Sequence, residues 1–144
     1  MIRRASTDDY IDICKISRED MGYECDEELV RMRLSELDST REAVFVAEDN
    51  GKIMGFVHVE KYNLLYFESM ANILGLAVAQ SDRRKGLGRK LMAKAERWAK
   101  DNGIHIMRLN SGAGRTHAHS FYRAIGYNED KQQLRFTKQL EAKM

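Results

Sequence analysis

The stretch that decides the fold runs from residue 71 to residue 90: Ala71-Asn72-Ile73-Leu74-Gly75-Leu76-Ala77-Val78-Ala79-Gln80-Ser81-Asp82-Arg83-Arg84-Lys85-Gly86-Leu87-Gly88-Arg89-Lys90. Ile73 to Ala79 is nearly all apolar or small and predicts a buried strand. Gln80-Ser81-Asp82 is a polar turn. From Gly86 a helix is expected to run to about Asn102, with Leu87, Leu91, Met92, Ala95, Trp98 and Ala99 on one face and Gly103 as its stop. A strand feeding a basic, glycine-containing turn at a helix N-terminus is a place to hold phosphate. Unpaired backbone N–H groups and the positive end of the helix dipole both favour an anion. Gly86 and Gly88 have no Cβ, so the anion can approach those groups closely. The turn is not a nucleotide P-loop, because no Gly-Lys-Ser/Thr closes it. It also lacks the Gly-x-Gly-x-x-Gly dinucleotide fingerprint.

Downstream, Ile104 to Leu109 predicts a strand. The strand–helix–strand unit from 73 to 109 is therefore a right-handed parallel crossover. A loop, Asn110 to Gly114, leads to a last helix capped by Thr116, with Ala118, Phe121, Tyr122 and Ile125 on one side and Gly126 at its end. Strand is expected again from Tyr127, most clearly from Leu134 to Leu140. Upstream, Ala43 to Glu48 and Ile53 to Lys61 read as strands. Asn50-Gly51 between them is a strong hairpin signal. The chain opens with a short strand, Ile2 to Ala5, and a helix capped by Ser6 or Thr7 and stopped by Gly22. A second helix follows from an Asp26 cap, with Leu29, Val30, Leu34 and Leu37 on its apolar side. Residues 62 to 70 fit either an extended strand or an apolar loop. The order β-α-α-β-β-β-α-β-α-β belongs to a mixed α/β class in one domain, residues 1–144.

Composition narrows the function. The chain has 144 residues, a formal net charge of +2, 32% charged and 43% hydrophobic residues, which suits a globular domain with a real core. The basic residues around Arg83 to Lys94 are local, which suits one small anionic ligand better than a nucleic-acid track. Cys14 and Cys25 have no zinc-site spacing, and His117 and His119 point differently on a helix, so no metal site is expected. A reduced, cytoplasmic chain with no membrane partner follows from the cysteine usage and the lack of a long apolar run. Proline is absent, so turns rest on Gly, Asn, Asp and Ser.

Arg83-x-x-Gly86-x-Gly88 resembles the Arg/Gln-x-x-Gly-x-Gly/Ala signature of the GNAT family of N-acetyltransferases. A second stretch, Ala118-His119-Ser120-Phe121-Tyr122-Arg123-Ala124-Ile125-Gly126-Tyr127, resembles the family's helix ending in Phe/Leu-Tyr-x-x-x-Gly-Phe/Tyr. The element order is similar over essentially the whole chain. Arg115, His119 and the run Arg135-Phe136-Thr137-Lys138 are closest to a subgroup that includes aminoalkylphosphonate N-acetyltransferases.

The resemblance implies a mixed, mostly antiparallel sheet whose parallel crossover strands splay into a V. It implies acetyl-coenzyme A as cosubstrate. Leu76, Ala77 and Val78 would pair with the pantetheine arm. Backbone amides across Arg84, Lys85, Gly86, Leu87, Gly88 and Arg89 would take the pyrophosphate, with charge from Arg83, Arg84 and Lys85. Asn110, Ser120 and Arg123 would meet the rest of the cofactor. Tyr122 matches the family's general acid; at an ordinary pKa of ~10, against ~8.5 for a cysteine-like thiol, it is protonated at neutrality.

An alkylammonium of pKa ~10.4 gives up its proton at pH 7 at a cost of ~4.6 kcal/mol, so a base is useful. Many relatives place a glutamate on the strand where this chain has Asn72, Leu74 and Gly75. Glu24, Glu68, His58 and His119 remain as candidates, with His119 one turn from Tyr122. The acidic run Glu19, Asp20, Glu24, Asp26, Glu27 and Glu28 suits either a cationic acceptor or an ordinary solvated face. The expected reaction is acetylation of a small primary amine. A protein amine as acceptor and a non-catalytic acyl-coenzyme A sensor are the alternatives. Tyr62, Tyr66 and Phe67 would wall a pocket or a homodimer contact.

Overall fold

The computed structural model describes residues 1–83 and 85–141. They form two compact units, one from Met1 to Asn110 and one from Ser111 onward.

The first unit is a sheet with helices on both faces. Its elements are β1 (Ile2–Arg4), α1 (Tyr10–Met21), α2 (Glu27–Ser35), β2 (Glu42–Asp49), β3 (Lys52–Tyr62), β4 (Met70–Val78), α3 (Leu87–Asp101) and β5 (Met107–Leu109). The strands lie in chain order, antiparallel from β1 to β4, with β5 parallel to β4. The hairpin between β2 and β3 forms as Asn50-Gly51 dictates, with φ of 51° and 79° at the two residues. Both values are positive, as the tightest hairpin turn requires. Ser6 opens the N-terminal helical segment, its backbone N–H donating to Asp9 Oδ2 at 2.7 Å. Asp26 caps α2 by accepting from the Glu28 backbone at 3.0 Å. Gly22 ends α1 at φ 74°.

Successive strand residues face opposite sides. On one side Val44, Val46 and Phe56 pack with Ile13 and Ile16 of α1 and with Ala77. On the other, α3 buries Leu87, Leu91, Met92, Ala95, Trp98 and Ala99, the face expected from its spacing. Each large apolar side chain so buried contributes about 1.5–3 kcal/mol. The helix comes close: a Cβ on Gly55 would meet Leu91 Cδ1 at 3.2 Å and the Ala77 carbonyl at 2.8 Å. α2 behaves differently. None of its residues is fully buried, and Leu29 is exposed while Val30 and Leu34 pack against the core.

The second unit contains α4 (Thr116–Ala124). Arg115 rather than Thr116 precedes the helix, and no side chain caps it. Gly126 follows at φ 99°. The strand expected from Tyr127 is absent among the described residues. Leu134, Phe136 and Leu140 keep the alternation of a strand, yet they are 83%, 86% and 84% exposed. Alternation records which side chains share a face; a strand also needs a neighbour for its N–H and C=O groups, and no ladder reaches residues 127–141. Similarly, the strand expected over 104–109 is regular only at Met107–Leu109, with Ile104 tucked into the core. Residues 63–69 form a loop in which Leu65, Tyr66 and Phe67 are exposed.

Candidate functional site

Three sets of residues bear on function. The first is the passage from β4 to α3. β5 pairs with β4 only over Ala71–Ile73, whereas β4 continues to Val78. Beyond Ile73 the β5-facing edge of β4 therefore carries no ladder among the described residues. Of the residues expected on that edge, Ala77 packs inward while Leu76 and Val78 are half-buried. A single 3-10 turn, Gln80–Asp82, follows, and Gly86 precedes α3 at φ 75°. No side chain caps α3 and no acidic residue lies in its first turn. The amides of Leu87, Gly88 and Arg89 thus open the helix without a carboxylate competing for them. Arg84, expected to contribute here, lies outside the described residues.

The turn is held by two acids that sequence reasoning assigned no such duty. Asp20, at the end of α1, accepts from the Gln80 backbone at 2.8 Å and lies 3.7 Å from Arg83. Asp82, 3% exposed, pairs with Lys85 at 3.0 Å and with Lys52 of the hairpin at 3.2 Å. Hydrogen bonding to Lys85, and then to Lys52, holds the Asp82 carboxyl below the usual range. Much of the acidic run after residue 18 is likewise engaged. Besides Asp20, Asp26 caps α2, Glu27 meets Arg18 at 3.1 Å, and Glu28 meets Arg31 at 3.0 Å.

The second set is a polar row across the sheet that went unread in the sequence. Glu42, Glu60, Asn72 and Arg108 stand directly opposite one another on β2, β3, β4 and β5. They share the face on which Val44 and Val46 meet α1, at the other end of those strands. Glu60 Oε2 accepts from Asn72 Nδ2 at 2.9 Å, and Asn72 Oδ1 accepts from Arg108 Nη1 at 2.7 Å. Arg41 bridges Glu60 at 3.1 Å and Glu42 at 2.9 Å. His58 Nε2 lies 2.8 Å from Glu42 Oε1. Burial works to raise the Glu42 pKa, but hydrogen bonds from His58 and the Asp38 backbone, with the Arg41 charge, leave it lowered. A β-bulge between β3 and β4 makes Leu74 an extra residue with no partner on β3. The signal for this row was available: polar residues inside apolar strand runs are costly unless paired.

The third set lies on α4. Tyr122 is half-buried, its ring edge-on to Phe121 at 5.2 Å and Tyr127 at 6.1 Å. Burial pushes its phenol pKa up, opposed by the Arg115 charge. His119 Nε2 sits 2.8 Å from the Gly112 carbonyl. That nitrogen must carry a proton to donate there, which leaves Nδ1 for any other role. Arg123 pairs with Glu129 at 3.0 Å, and Ser120 is exposed. Asn110, in the first unit, accepts from Arg108 Nη2 at 3.2 Å. Of the other bases considered, Glu24 and Glu68 are exposed and His58 is engaged with Glu42.

A family described as Acetyltransferase (GNAT) matches residues 10–127. The chain belongs to the GNAT acetyltransferase family. It is an N-acetyltransferase, and its reaction is acetyl transfer to an amine. Among relatives, this GNAT protein is 26% identical to the aminoalkylphosphonate N-acetyltransferase of Salmonella typhimurium, over 96% of this chain and 90% of that one. It is 29% identical to an uncharacterized N-acetyltransferase of Chlorobaculum tepidum, over 82% of this chain and 70% of that one. Its fold is that of an aminoglycoside N-acetyltransferase, AAC(6')-Iy, solved with a coenzyme A bisubstrate analogue. That likeness has a TM-score of 0.81 at 19% identity and covers 96% of this chain and 97% of the other. Among the described residues no group of acidic, histidine or cysteine side chains is placed to hold a metal, and no helix is long and apolar enough to cross a membrane.

Proposed function

We propose that this GNAT protein transfers the acetyl group of acetyl-coenzyme A to the primary amine of a small molecule by direct attack. The observation that carries the reading is the opening of α3: Gly86 at φ 75°, no capping side chain, directly after a strand whose outer edge is unladdered past Ile73. A diphosphate fits such amides, which have no first-turn carboxylate to donate to, and an extended amide chain fits an unladdered strand edge. Leu87, Gly88 and Arg89 hold the phosphates from the backbone, while Arg83 and Lys85 add charge. Leu76 to Val78 orient the pantetheine arm. Asn110, Ser120 and Arg123 are assigned to the remaining cofactor contacts.

In the reaction the amine nitrogen, as the free base, forms a bond to the acetyl carbon and gives up one proton to solvent, the carbon–sulfur bond breaks, and the leaving sulfur takes a proton. Tyr122 is the assigned donor. Its place in the second motif and its raised pKa both support that role, because a donor must enter the step protonated. The family match across residues 10–127 runs from the first compact unit into the second, as far as α4 and Tyr127, and supports reading them as one functional domain.

Release of free thiol from acetyl-coenzyme A, followed across a panel of small amines, tests the proposal. Turnover with at least one amine, with heat of binding for acetyl-coenzyme A in calorimetry, is expected. Folded protein that gives no heat with the thioester overturns it.

A further inference from the structure

We infer that the acceptor carries an oxyanion as well as its amine, and that Arg108 recognises it. The inference rests on the acetyl-transfer reading and names the substrate class for it.

Arg108 is unusual among the arginines of this chain. Arg3, Arg18, Arg31, Arg41, Arg83, Arg97 and Arg123 each pair with a carboxylate. Arg4, Arg33, Arg89, Arg115 and Arg135 do not, but they stand exposed. Arg108 alone among the described arginines is half-buried with no carboxylate. Its partners are the amide oxygens of Asn72 at 2.7 Å and Asn110 at 3.2 Å, and the face of Tyr62 at 4.4 Å. Neutral oxygens and an aromatic face orient a guanidinium and leave its charge uncancelled. Two of its five N–H groups are used in this way, so a fork of donors remains for an incoming group. A planar fork favours carboxylate or phosphonate oxygens, which accept two parallel bonds.

The same row supplies the opposite charge: two carboxylates, Glu42 and Glu60, share the one guanidinium of Arg41. Glu60 lies on the far side of Asn72, whose amide donates to Glu60 and accepts from Arg108. Neighbouring strands lie ~4.8 Å apart, so β3 and β5 place the carboxylate and the guanidinium about two strand spacings apart at the backbone. An ammonium and an oxyanion joined by two or three carbons suit that separation. The ammonium faces Glu60, a carboxylate one strand away from Asn72, and the oxyanion faces Arg108. A neutral or purely cationic amine would leave the half-buried Arg108 charge uncompensated, which low-dielectric surroundings penalise.

The test compares matched amines with and without the anionic group: 2-aminoethylphosphonate and β-alanine against ethanolamine and propylamine, each with acetyl-coenzyme A. The oxyanion-bearing amines are expected to show kcat/KM at least about tenfold above the neutral ones, the effect of one charge-assisted hydrogen bond pair. The phosphonate and carboxylate arms then separate the two oxyanions. Arg108→Gln should raise KM for the oxyanion-bearing amines by at least about tenfold more than for the amines without an oxyanion, with Arg108→Lys restoring part of that selectivity. A purely structural role for Arg108 would depress all amines alike. Glu60→Gln should lower kcat/KM for every amine. Equal or better turnover of the neutral amines by the unaltered enzyme overturns the inference while leaving acetyl transfer standing. Absence of turnover with any amine is instead the failure of the acetyl-transfer reading, and the oxyanion assignment falls with it.

Discussion

The Asp20 carboxylate accepts the Gln80 backbone N–H at 2.8 Å, tying the last turn of α1 to the passage between β4 and α3. The acid side chain is only 2% exposed, so it is held in place to receive the Gln80 amide, which lies at the surface.

Asp20→Ala is therefore expected to loosen the cofactor turn as well as the fold. A loss of about 0.5–1.5 kcal/mol is typical for one such hydrogen bond. Calorimetry should find acetyl-coenzyme A bound more weakly, and the melting temperature should fall by several degrees. An unchanged affinity would mean that the turn keeps its shape without this tie.

Gly86 and Gly55 should fail in different ways. Nothing lies within 4 Å of a Cβ placed at Gly86, so the obstacle there is its φ of 75°. Gly86→Ala should cost about 1–2 kcal/mol of backbone strain and raise KM for acetyl-coenzyme A. A Cβ at Gly55 meets the Ala77 carbonyl at 2.8 Å. Gly55→Ala should lower the melting temperature through the β3–β4 ladder, as thermal unfolding will show.

Tyr122→Phe keeps the packing against Phe121 and Tyr127 and removes the proton. We expect kcat to drop about 10²-fold or more with acetyl-coenzyme A affinity little altered. Because the Tyr122 pKa is raised, the unaltered enzyme should keep its donor protonated through neutrality and lose it only in strong alkali. An undiminished kcat in Tyr122→Phe, or an alkaline fall in kcat that Tyr122→Phe retains unchanged, would remove the donor assignment.

Acid should weaken the N-terminal anchor. Arg3 contacts Asp9 at 2.9 Å and Glu48 at 3.0 Å. Burial pushes the Asp9 pKa up, but the Arg3 hydrogen bond and the Ser6 amide bring it below its ordinary value. A carboxyl whose folded pKa lies below its unfolded ~3.9 contributes fully above that value and stops contributing as pH falls through the folded pKa. Melting temperature should hold from pH 7 to about 5 and decline below about 4. Asp9→Asn should be destabilised at neutrality and show a shallower acid decline.

Reading the chain by pattern recovered the elements whose signals are local. Asn50-Gly51 specified a turn, Gly22 and Gly103 ended helices, and the α3 face emerged residue for residue. The polar row was missed because Glu42, Glu60, Asn72 and Arg108 are far apart in the chain and become neighbours only once four strands are in register. Asp20 and Asp82 were hidden for the same reason: each looked like surface acid until its partner arrived from another element. The C-terminal strand failed in the opposite sense. Leu134, Phe136 and Leu140 carry a sound local pattern, but pairing is a property of two segments and cannot be read from one.

Leu74 has a larger consequence than a missing partner. In a regular pleat Asn72, Leu74 and Leu76 would point one way; the supernumerary residue resets the phase, so that Asn72, Gly75 and Ala77 do so instead. One strand can thereby present an amide to the polar row at its start and a methyl group to the core beneath α1 at its finish, on a single side. Deleting Leu74 would rotate one of those two inventories to the wrong side, and the protein would forfeit either its core contact or its polar row.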